Sequence, residues 1–156
     1  MNNRKGVLPL ILCLLIPVVV GGVSSLLTSD AMSYFASVNK PPLAPPGWLF
    51  PIVWTILYLL MGFASYMLYI SDSDMGTNGL IIYGIQLIFN FCWSIIFFRF
   101  EWYWIAAIWL LIMWALIICL IGISRKVSTV ATLCLIPYLL WTTFAAYLNI
   151  GIAWLN

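Results

Sequence analysis

Histidine is absent from this chain of 156 residues, and charge nearly so, with six Lys or Arg and four Asp or Glu, 6% of the sequence. Each shortage excludes something. Without His, imidazole-based zinc and haem sites have no ligand, and no Ser-His-Asp set can form. The four cysteines, Cys13, Cys92, Cys119 and Cys134, lack metal-ligand spacing and read as small packing residues; no metal or cofactor is expected. A net charge of +2, thinly scattered, gives nucleic acid nothing to bind. There is no Gly-rich phosphate loop and no tandem repeat. A soluble domain carries roughly 25% charged residues, so this chain cannot build a water-facing surface.

What it has instead is apolar length, 65% of the residues. The charges, at Arg4, Lys5, Asp30, Lys40, Asp72, Asp74, Arg99, Glu101, Arg125 and Lys126, leave five uncharged runs: 6–29, 41–71, 75–98, 102–124 and 127–156. A spanning helix needs about 20 apolar residues, and each run supplies one. Trimming turn-like ends predicts helices over 7–27, 48–70, 78–98, 103–123 and 130–153. The fold class is therefore an all-α membrane protein, one five-helix transmembrane domain over 1–156, with every charge outside the helices.

The first run also fits a secretory signal, because Arg4-Lys5 precedes it and Gly21-Gly22-Val23-Ser24-Ser25 offers small residues. Its length and the lack of a small-x-small site favour a retained span. No Asp, Glu, Lys or Arg lies inside a predicted span, which disfavours proton relays, voltage sensing and ion-coupled transport.

The long connection, 28–47, ends in Lys40-Pro41-Pro42-Leu43-Ala44-Pro45-Pro46-Gly47. Four prolines fix φ and remove donors, so this stretch is not helical. Two readings stand: a stiff linker, or a lid whose Tyr34, Phe35 and Leu43 are buried against the bundle, since connections this long are often functional.

The nine tryptophans divide by position. Trp48, Trp102, Trp104 and Trp154 fall at predicted helix ends, as an interfacial belt requires. Trp54, Trp93, Trp109, Trp114 and Trp141 lie deeper. At 1.5 Å per residue, Trp54 is roughly 9 Å and Asn90 about 12 Å below the outer helix ends, with Trp141 near the midplane. Residues three and four apart share a face, which groups Pro51, Trp54, Tyr58, Met61 and Ser65; then Gln86, Asn90, Trp93 and Phe97; then Tyr138, Trp141, Ala145 and Leu148. Gln86 and Asn90 either hydrogen-bond between helices or face a ligand in an aromatic-walled pocket.

These same residues carry a resemblance. Pro41-Pro42-Leu43-Ala44-Pro45-Pro46-Gly47-Trp48, running into Pro51-Ile52-Val53-Trp54-Thr55-Ile56-Leu57-Tyr58 and Met61-Gly62-Phe63-Ala64-Ser65-Tyr66, resembles the tryptophan-rich sensory protein family. That is the translocator protein or peripheral benzodiazepine receptor family. Gly84-Ile85-Gln86-Leu87-Ile88-Phe89-Asn90-Phe91-Cys92-Trp93, then Phe97-Phe98, continues it; so do Pro137-Tyr138-Leu139-Leu140-Trp141, Phe144-Ala145 and Leu148-Asn149. The resemblance implies a homodimer in the lipid bilayer, in a bacterial member the cell membrane. It implies a cavity under the first loop that takes protoporphyrin IX or isoquinoline carboxamide and benzodiazepine ligands. By motif Trp54, Gln86, Asn90, Trp93, Trp141 and Ala145 fall at cavity positions, with Tyr58 and Pro45 as neighbours; Tyr34 in the loop and Leu148 in the last stripe complete the candidate ligand-binding set.

Bacterial members are linked to light- and oxygen-dependent protoporphyrin breakdown, without a conventional catalytic site, because the pigment supplies the chemistry. Trp54 and Trp141 are the candidate photochemical residues. The alternatives are a transporter of porphyrins or similar apolar molecules, and a stress-sensing interaction protein. Animal members carry a Leu, Tyr and basic-residue sterol motif in the last helix. Here Leu148 is followed by Asn149-Ile150-Gly151-Ile152-Ala153-Trp154, and the resemblance does not extend to cholesterol. The sequence also departs from the animal pattern in carrying no charged tail after Trp154.

Basic residues in short loops favour the inside. Arg4, Lys5, Arg125 and Lys126 on one side outweigh Lys40 and Arg99 on the other. The prediction is an inside N-terminus and an outside C-terminus, to be read by reporter fusions at both ends; both termini on one side would refute five spans.

Overall fold

A computed structural model describes residues 5–29 and 36–156. Tyr34 and Phe35 of the expected lid lie outside the described residues. Five helices are long and apolar enough to cross a membrane: α1 Val7–Leu27, α2 Leu49–Tyr69, α3 Asp74–Ser94, α4 Tyr103–Val127 and α5 Thr129–Leu155. The chain of α3 continues as a π-helical segment, Ile95–Arg99. Helix α1 packs on α2 and α3, α2 on α5, α5 on α4, and α4 on α3, so the helices close a ring in the order α1–α2–α5–α4–α3.

Alternating three- and four-residue steps explain the packing. Buried residues run Gly76, Gly79, Tyr83, Gln86, Asn90, Trp93, Phe97 along α3 and its extension. They run Ala106, Leu110, Met113, Ile117, Leu120, Ser124 along α4, and Ala131, Leu135, Tyr138, Thr142, Ala145, Asn149, Ile152 along α5. A seam of that period lets neighbouring helices interdigitate at small crossing angles. Helix α1 differs. Only Pro17 and Ser24 are buried along its 21 residues. Ten large apolar side chains, from Val7 to Leu27, are exposed and thus available to lipid.

Four charges depart from the sequence reading, because the helices run past the apolar runs. Asp74 opens α3, Arg99 ends the π-helical segment, and Arg125 and Lys126 lie in the last turn of α4. Each sign suits its helix end, acid at the positive N-terminus and base at the negative C-terminus. Helix α3 starts four residues before the predicted 78, because the Ser73 side chain accepts from the Gly76 N–H at 3.0 Å and caps it. Ser128 alone separates α4 from α5, its side chain accepting from the Ala131 N–H at 3.2 Å.

The proline-rich connection is docked on α5. Pro41 covers Gly151, where an added Cβ would come within 2.6 Å of the ring. Asn39 and Asn156 exchange two hydrogen bonds, of 3.2 and 2.9 Å. The Tyr147 hydroxyl donates to the Pro42 carbonyl at 2.7 Å. Leu43 corrects the lid expectation, being 82% exposed. It occupies the third position of a turn closed from Ala44 N–H to Pro41 carbonyl, with φ 67°, a geometry that turns the side chain outward. Among the described residues of 28–47, Thr28, Val38 and Pro41 are buried instead.

Gly62 sets the closest approach of α1 and α2. A Cβ there would lie 2.6 Å from the Cys13 carbonyl oxygen and 2.8 Å from Leu14 Cα. Gly62→Ala is expected to push the helices apart and destabilise by about 1–3 kcal/mol. Gly84, with nothing within 4 Å, should accept Ala at no cost. Thermal unfolding of both variants in detergent checks the contrast.

Candidate functional site

A cavity of about 360 Å³ lies between α1, α2 and the end of α3. Its α2 side is aromatic: Phe50, Trp54 and Tyr58, with Pro51 and Thr55. The α3 side adds Trp93, Ser94 and Phe98. The α1 side is built from small groups, Gly21, Gly22, Ser24, Ser25 and Thr28, beside Val18. Every lining position lies in the half of the bundle that carries the exposed belt residues Trp48, Trp102, Trp104 and Trp154. No lining residue is charged.

The aromatic wall is a connected set. Trp54 lies 5.5 Å from Tyr58, 6.4 Å from Trp93 and 6.3 Å from Tyr138 between ring centroids. Trp93 stacks on Phe97 at 5.3 Å, and its indole N–H donates to Asn149 Oδ1 at 3.0 Å. The Asn149 amide in turn donates to the Tyr103 carbonyl at 2.8 Å. The π-helical segment begins immediately after Ser94 and carries Phe98 into the lining; such segments recur at functional sites.

Beneath the cavity runs a buried polar chain. The Tyr58 hydroxyl donates to Asn90 Oδ1 at 2.7 Å, and Asn90 Nδ2 donates to the Tyr138 hydroxyl at 3.2 Å. Tyr138 donates to Gln86 Oε1 at 2.7 Å. Gln86, Asn90 and Tyr138 are at most 1% exposed. The Gln86 Nε2 group has no partner among the described residues. Of the two roles open to Asn90 and Gln86, the geometry shows the interhelical one, with Tyr58 between Asn90 and the cavity.

Three of the motif-derived residues, Trp54, Tyr58 and Trp93, therefore meet at the cavity. Ala145 and Leu148 are buried in α5, and Pro45 is half-buried in the proline-rich connection; none of the three lines the cavity. Trp141 is one ring removed. It contacts the lining residue Phe50 edge-on at 5.9 Å and belongs to a shallow groove of about 420 Å³ between α2 and α5. Of the other deep indoles, Trp109 donates to the Phe89 carbonyl and Trp114 to Thr143 Oγ1, which explains their depth without a ligand. The α1 wall was missed by sequence reasoning. Its signal was the small-residue run Gly21-Gly22-Val23-Ser24-Ser25.

Fold and cavity define a multi-pass α-helical membrane protein with an aromatic-walled cavity between three of its spans. The TspO/MBR family model matches residues 13–155, and the chain belongs to that family. It is 37% identical to the tryptophan-rich protein TspO of Chlorobaculum tepidum over 98% of this chain and 99% of that one. It is 36% identical to the translocator protein homolog of Schizosaccharomyces pombe, covering 78% and 77% of the two chains. With the translocator protein of Ovis aries it shares 32% identity over 77% and 73%. Membership supports a membrane receptor or transporter role.

Asn90→Leu is expected to strand the Tyr58 hydroxyl, which donates to Asn90, while Tyr138 keeps its bond to Gln86; a buried group left without its partner costs about 1–3 kcal/mol. Thermal unfolding without ligand should show a clear loss. An unchanged melting temperature with lost ligand binding would move Asn90 from the scaffold to the ligand.

Proposed function

We propose that this protein is a membrane receptor for planar tetrapyrroles, with protoporphyrin IX as the reference ligand, and that it promotes their photo-oxidative loss. One observation carries the reading: Phe50, Trp54, Tyr58, Trp93 and Phe98 line one cavity with Gly21, Gly22, Ser24 and Ser25, and no lining residue is charged. Flat macrocycles suit such a lining, since aromatic side chains stack on a π-face while side-chain-free positions leave room beside them. The volume falls within the range of about 300–1,000 Å³ usual for small-molecule sites. An isoquinoline carboxamide fits the same description. Coupled transport has less support, because no charge lines the cavity and carriers of that kind use charged or broken-helix sites.

In the photochemical step, excited porphyrin takes one electron from an adjacent indole and passes it to dioxygen; the superoxide formed adds to the macrocycle and the electron returns to the indole radical cation, so that the net change is addition of one dioxygen to the porphyrin. Trp54, on the cavity wall, is the first donor. Trp141 is a second donor through Phe50 at most.

The test titrates purified protein with protoporphyrin IX in darkness, then follows pigment absorption under light, with and without oxygen. Trp54→Phe should keep binding, since phenyl still offers an apolar face, yet slow the decay several-fold at equal occupancy. Trp141→Phe should slow it less. Equal decay in all three proteins would leave the indoles as walls only, and no binding in darkness would refute the receptor.

A further inference from the structure

Ser24 is the one polar side chain of the cavity lining that is both buried and unsatisfied among the described residues. It is 3% exposed, and its hydroxyl has no hydrogen-bond partner. A serine inside a helix ordinarily bonds back to the carbonyl four residues earlier. Thr28 follows that rule, donating to the Ser24 carbonyl at 2.9 Å, as does Thr55, donating to Pro51 at 2.7 Å. Ser24 does not. An unpaired hydroxyl in an apolar setting is costly, and Ser24 lines the same cavity as Trp54 and Trp93. Staggered rotamers about one bond are enough to re-aim it.

Resting on the receptor reading above, we propose that Ser24 is the polar anchor of the cavity, donating a hydrogen bond to an uncharged carbonyl group on the edge of the bound ligand. The acceptor must be neutral, because no lining residue carries a positive charge and an unpaired carboxylate cannot be buried in such a site. The cavity therefore selects planar ligands bearing an ester, amide or protonated acid. A free diacid porphyrin leaves its ionised carboxylates outside the slot.

The experiment compares two probes on wild type and Ser24→Ala: protoporphyrin IX dimethyl ester, with carbonyl acceptors, and etioporphyrin, an alkyl porphyrin with none. Affinity is read by quenching of tryptophan fluorescence in darkness, and thermal unfolding is measured without ligand. Ser24→Ala should weaken the ester about tenfold, the size of one hydrogen bond, and leave etioporphyrin unchanged. The ligand-free variant should melt no earlier than wild type, since an unsatisfied group has been removed. Equal affinities for the ester in both proteins would overturn the anchor while leaving the receptor intact. Equal loss of both porphyrins, with earlier melting, would also overturn it and make Ser24 a packing residue. Failure of both porphyrins to bind wild type would refute the receptor reading, and the anchor with it.

Discussion

The chain of hydrogen bonds from Tyr58 through Asn90 to Tyr138 and Gln86 fixes α2, α3 and α5 against one another where no water competes. Apolar packing alone cannot do this in lipid, because acyl chains are as apolar as Leu and no hydrophobic force draws helices together. Direction comes from polar groups whose alternatives are worse. Each such bond is modest, but every one crosses between helices and all three end on α3, so sliding α3 breaks bonds to both α2 and α5. The Trp93–Asn149–Tyr103 set repeats the device nearer the belt end and adds α4.

Once those four helices are fixed, the cavity follows. Helix α1 takes no part in either polar set, and its contacts rest on small residues. Gly62 admits its backbone to α2, and Gly21 leaves room for the Tyr58 ring. Pro17 interrupts its ladder four residues below Gly21, since proline removes the bond to residue i−4. The cavity thus has one wall anchored by the two polar sets and one, α1, that joins neither. On the receptor proposal, an aromatic ligand between them would meet a fixed face and a compliant one.

Much of this was legible in the sequence. Charge placement located all five helices, and the stripe Gln86, Asn90, Trp93 and Phe97 is the buried face of α3 and its extension. Aromatic stripes were less decisive about which neighbour they meet. Trp54 and Trp141 fall on faces that converge on Phe50, yet on different sides of α2, because one stripe touches two neighbours in a ring of helices. The π-helical segment was not legible, since Ile95-Ile96-Phe97-Phe98 suits an ordinary helix equally well. The α1 wall escaped for a different reason. Pockets are sought where side chains are large, and here it is their absence that makes room. Leu43 shows the same blindness in reverse: its hydrophobicity suggested burial, but two prolines and a turn decided where it points.

The two ends of the bundle also differ in kind, and the difference bears on how a ligand is held. The end that carries Lys5, Asp72, Asp74, Arg125 and Lys126 is closed by Ser73 and Ser128, with connections of one to four residues. The belt end carries the proline-rich connection, pinned to α5 by Pro41, Asn39 and Tyr147. That pinning is on the far side of the ring from α1 and leaves the α1 wall without a restraint from this part of the loop. On the receptor proposal, a ligand in the cavity would supply contacts that α1 otherwise lacks. Binding to the folded state alone stabilises it in proportion to occupancy, so the gain should concentrate in α1, whose amide protons would slow their exchange most.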